Sequence, residues 1–130
     1  MKMQLKDIQQ RLQALTQLKD KRLPFQMVRA IAKNIKLLQE ETEILEKQRI
    51  EICKKYVELD ENKNPIISDG AYTIKSACTS VFNNEVLKLL EEEVDVELTT
   101  IDSEEIDKCN SDMYDPLTAS DYLTLELIIS

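Results

Sequence analysis

The 130-residue chain carries 25 acidic and 17 basic groups, a formal charge of −8, no His, no Trp and a single Gly. Loops that wrap phosphates need several positive-φ positions, so one glycine excludes a P-loop and a GxGxxG. The missing His removes the commonest general base and the commonest zinc ligand. The charge is also divided: residues 1–39 hold nine basic and two acidic groups (+7), and residues 40–130 hold eight basic and 23 acidic (−15), summing to −8.

One domain over residues 1–130 is expected, because a chain of this length buries one core. With 5% aromatics the core must be Leu, Ile and Val, which suits helices packed along stripes. Cys53, Cys78 and Cys109 lack CxxC spacing and read as small buried apolar side chains in a reducing compartment. No secretory leader and no run of about 18 apolar residues is visible, so neither export nor a membrane span is expected.

In chain order, Leu5, Ile8, Leu12, Leu15 and Leu18 fall at steps of three and four and predict an amphipathic helix over residues 3–19. Pro24 then opens a long helix to about Leu59, with Val28, Ile31, Ile35, Leu38, Leu45 and Ile52 in heptad register, joined by Arg49. The first helix reaches about half of it, so the rest awaits later segments or another copy. These seven residues are therefore the expected oligomer interface, with Arg49 either snorkelling or pairing with a Glu across it. Residues 1–59 thus read as a helical hairpin.

Residues 60–79 read as a loop, DENKNP, and a β-hairpin turning on Asp69-Gly70 as a type I′ pair. Over residues 80–101 a helix from about Ser80 to Glu93 precedes a strand alternating Val94, Val96 and Leu98 with Asp95 and Glu97, which is expected to join the hairpin as a third strand. Residues 102–130 offer an acidic turn capped by Ser103, an irregular stretch, and a terminal helix opened by a Thr118/Asp121 capping box. The expected fold class is mainly α with a small antiparallel β element (α+β).

From Glu91 to Asp107 the chain has nine carboxylates and no cation. Glu91, Glu92 and Glu93 close a helix, where negative charge opposes the macrodipole, and Asp95 and Glu97 take the outer face of a strand. Glu104 and Glu105 follow in the acidic turn. A calcium loop needs ligands at set steps around a Gly, and none is near, so no metal, no cofactor and no catalytic residue is assigned. A one-signed patch steers a basic partner, which makes Glu91, Glu92, Glu93, Asp95, Glu97, Glu104 and Glu105 the candidate partner-binding set. The basic amino end lacks interleaved aromatics and a docking motif, and reads as a solvated helix face rather than a nucleic-acid contact.

The order LPFQMVRAIAKNIKLLQEE, ILEKQRIEICKKYVELDENKNPII, VFNNEVLKLLEEEVDVELTTI and LTASDYLTLELII resembles a family of small proteins of unassigned function encoded by phages and prophages of Gram-positive bacteria. The likeness runs from Leu23 to Ile129 and contains no catalytic motif. Lys63 stands where a Gly is expected in the DENKN turn. The resemblance implies a phage protein in the bacterial host cytoplasm. The expected function is a non-enzymatic acidic protein that binds another protein, with inhibition of a host defence factor first, virion assembly or chaperoning second, and a nucleotide-signal sponge third.

Overall fold

A computed structural model describes residues 1–129 of the chain and is consistent with the α+β expectation: 57% helix, one long helix and two small antiparallel sheets. Strand β1 (Lys2–Gln4) leads into α1 (Leu5–Thr16), and α2 runs over Phe25–Tyr56 with Pro24 at its N-cap position. At 32 residues α2 is about 48 Å long and is the spine of the molecule. Strands β2 (Ile67–Ser68) and β3 (Ala71–Tyr72), a 3-10 turn (Ser76–Cys78), α3 (Thr79–Glu91), β4 (Glu93–Asp95), α4 (Ser103–Lys108) and α5 (Ala119–Glu126) complete it. Among the described residues no helix is long and apolar enough to cross a membrane.

Two apolar clusters lie along α2. Towards its amino end Met27, Ala30 and Ile31 pack with Leu18, Leu23, Ile101, Cys109, Leu125 and Ile128. Further on, Leu38 and Leu45 pack with Met3, Leu5, Ile8, Leu15, Leu89 and Val96. Ile35, Leu98 and Leu127 touch both clusters and make the core continuous. Burying each such Leu or Ile contributes roughly 1.5–3 kcal/mol.

This packing corrects the expected oligomer interface. Ile31, Leu38 and Leu45 are enclosed by the chain's own segments, and Ile35 and Ile52 are half-buried. Of the seven, only Val28 and Arg49 are exposed. Arg49 does not reach across an interface either, because its guanidinium pairs with Glu46 one turn earlier in the same helix. That hydrogen-bonded pair lowers the Glu46 pKa and raises that of Arg49. The later segments, α3 and the carboxy-terminal stretch, cover the length that α1 leaves open.

The hairpin forms as expected, pairing Ile67 with Tyr72 and Ser68 with Ala71, with Asp69 at φ 52° and Gly70 at φ 79°. Both positive angles are those a type I′ turn demands. The segment after α3 does not join it. Instead β4 pairs antiparallel with β1, setting Lys2 opposite Asp95, Met3 opposite Val94 and Gln4 opposite Glu93. The opening residues are thus a strand and not the first turn of α1. Ser103 opens α4 as its first residue, with Asp102 at the N-cap position, whereas the Thr118/Asp121 capping box is present as expected.

Candidate protein-interaction surface

The end of α3 and the β4 strand form a ridge of carboxylates. Glu91 is the last residue of α3, and Glu92 turns extended (φ −61°, ψ 138°) and gives its carbonyl to the Leu5 N–H at 2.9 Å. The β1 pairing then fixes the alternation. Val94 and Val96 face inward, Val96 at 1% exposure, while Glu93, Asp95 and Glu97 face solvent. Beyond them Asn34, a buried side chain on α2, accepts the Thr99 N–H at 2.7 Å and donates to the Thr99 carbonyl at 2.9 Å. The ridge is therefore held at both ends, by β1 and by Asn34.

The helix leading into the ridge is anchored to the far end of α2. Glu85 accepts a hydrogen bond from the Tyr56 hydroxyl and one from Lys55 Nζ at 2.6 Å, and the Tyr56 ring meets Phe82 edge-on at 6.4 Å. The Lys55 and Tyr56 hydrogen bonds hold the Glu85 carboxyl below its ordinary range. They also raise the pKa of both donors.

Glu91, Glu92, Glu93, Asp95 and Glu97 are all exposed. Among the described residues, Glu91, Glu92, Glu93 and Glu97 take part in no ion pair, and Asp95 lies 3.0 Å from the amino nitrogen of Met1. Five carboxylates on seven consecutive positions of ordered backbone, only Asp95 of them ion-paired, set up a local negative field.

The acidic turn divides. Glu104 is exposed on α4, but Glu105 is a correction to the expected set, because its side chain is only 13% exposed and binds Lys108 Nζ at 2.8 Å. Its Oε2 atom is buried without a hydrogen-bond partner among the described residues. Glu105 faces inward beside Cys109, whose sulfur lies 3.7 Å from the Glu105 carbonyl and 3.6 Å from Met27 Sδ. Burial, with Glu105 adding to it, raises the Cys109 pKa, so this thiol is poorly ionised. Among the described residues no group of three or more Cys, Asp or Glu side chains is arranged to hold a metal ion.

Asn34 went unread in the sequence. The signal was present, since it follows Met27 and Ile31 and precedes Leu38 on the buried stripe, where a lone polar residue needs a partner. No family model, curated protein or solved structure matches this chain.

Proposed function

We propose that the chain is a non-enzymatic binding protein that engages a protein partner with a basic surface through the Glu91–Glu97 ridge. In this reading it is phage- or prophage-encoded, works in the bacterial host cytoplasm and inhibits a host defence factor. The observation that carries the binding role is the ridge itself: five exposed carboxylates, four of them in no ion pair among the described residues, on backbone tied down by β1 and Asn34. An array on ordered backbone loses little loop entropy on docking, and its field accelerates encounter with a cationic groove. The phage setting rests on the resemblance between Leu23 and Ile129.

Affinity capture from an infected host, followed by mass spectrometry, tests this reading. Wild-type protein should retain a partner that a Glu91→Gln, Glu92→Gln, Glu93→Gln triple variant loses. A partner held equally by both would remove the ridge from the contact. Recovery of head or tail components would move the assignment to virion assembly.

A further inference from the structure

A second surface lies on the amino-terminal half of α2, away from the ridge in sequence and opposite in charge. Phe25 is 70% exposed and Val28 42%, and Ala32 is also exposed; with half-buried Ile35 they follow one another at steps of three, four and three. Val28, Ala32 and Ile35 wall an apolar groove of about 220 Å³ whose floor includes buried Leu18 and Ile31 and whose far rim carries Lys19. On a 3.6-residue turn, Arg29 and Lys36 border the same stripe on its outer side. Lys19, Arg29 and Lys36 are exposed, and among the described residues none is in an ion pair. A cationic rim around an apolar groove, in a chain of net charge −8, is a local reversal of sign.

We infer that this groove receives an amphipathic helix of another protein whose apolar stripe is flanked by Asp and Glu. The walls repeat over about two turns at the spacing by which one helix seats its ridge in another's groove, and the rim matches acidic flanks. A second copy docking through the same patch is disfavoured, because a two-fold contact sets Lys19, Arg29 and Lys36 against their own equivalents. An anionic lipid surface would satisfy the cations, but a concave groove with a buried floor fits inserted side chains better than a flat bilayer.

The test uses full-length, isotope-labelled protein and a synthetic helical peptide of about four turns, with Leu at steps of three and four and Glu on both flanks. A peptide with the same Leu positions and Lys flanks is the control. Binding of the Glu-flanked peptide should shift amide signals within residues 18–36. Ala32→Glu should weaken it at least about tenfold with melting temperature unchanged. The control should not bind, and the Glu91/Glu92/Glu93→Gln variant should bind as wild type, which separates this surface from the ridge. The inference is overturned by no binding at about millimolar peptide, by shifts elsewhere, or by equal affinity of the control or of Ala32→Glu. Phosphatidylserine vesicles binding in an Ala32-dependent way would reassign the groove to a membrane, and an Ala32-dependent doubling of mass would reassign it to a second copy.

Discussion

Asn34 is 1% exposed and exchanges two hydrogen bonds with the backbone of Thr99, one accepted and one donated, as one rung of a β-ladder would. Asn34→Ala strips partners from a donor and an acceptor in a part-buried site, and should lower unfolding free energy by about 2–4 kcal/mol. Urea titration would check this, and a loss under about 0.5 kcal/mol would show that water replaces the amide freely. Asp121 is a second anchor, only 14% exposed, accepting Lys21 Nζ at 2.6 Å and the Thr118 N–H at 3.0 Å. Burial pushes its carboxyl up, but the Lys21 and Thr118 hydrogen bonds outweigh this and hold it below its ordinary value. A carboxyl depressed by folding contributes stability above its unfolded pKa, near 4, and loses it as pH falls through the lower folded value. The urea midpoint should therefore drop on acidification below about pH 4, and Asp121→Asn should flatten that part of the profile. Lys63 sits at φ 64°, the left-handed conformation for which a Gly was expected, and the Asp60 side chain supports the turn by accepting the Asn62 and Asn64 N–H groups, each at 2.9 Å.

Helices and the β2–β3 hairpin were legible because their signals are local; β1 and its pairing with β4 were not. The long helix was placed within three residues of its observed ends at Phe25 and Tyr56, and the capping box located the start of α5. By contrast β1 and β4 are three residues each and pair across about ninety positions, so no short window contains the pairing. Leu5 fits the helical face of Ile8 and Leu12, and the helical reading was carried back over Met3, whose two-residue offset from Leu5 places it on the opposite side of a helix. The heptad register found Ile31, Leu38 and Leu45, which are buried in the chain's own core, but also took in Val28 and Arg49, which are exposed, and it was silent on what buries the stripe. Leu38, with no exposure, and Ile44, 52% exposed on the same helix, make a matched pair. Leu38→Ala should cost about 2–5 kcal/mol in thermal or urea unfolding, and Ile44→Ala less than about 0.5 kcal/mol. Equal costs would mean that α2 is covered on a face other than the one described.

Over the whole molecule the +7 and −15 halves of the sequence become two differently charged surfaces, a cation-rimmed groove on early α2 and a carboxylate ridge after α3. Asp95 and Glu97 were legible as solvent-facing from strand alternation, and Glu91, Glu92 and Glu93 from their place at a helix end; Glu105 was not, because the packing of α4 that turns it inward is a tertiary matter. With most of the heptad stripe covered internally, light scattering at micromolar concentration should give the 15.1 kDa monomer mass, and a stable dimer would require an interface other than the heptad stripe, where of the seven residues only Val28 is both exposed and unpaired. Neutralising ridge carboxylates to Gln or Asn should change stability by no more than about 0.5 kcal/mol apiece, since each is exposed. Their effect belongs in association. The most direct measurement is the association rate of the captured partner with wild type and with the Glu91/Glu92/Glu93→Gln variant, from about 0.01 M to about 0.15 M salt, over which the Debye length shrinks from about 30 Å to about 8 Å. The wild-type rate should fall steeply across that range, and the variant should start slower and respond less. Equal rates with equal salt dependence would contradict a role for the ridge in binding.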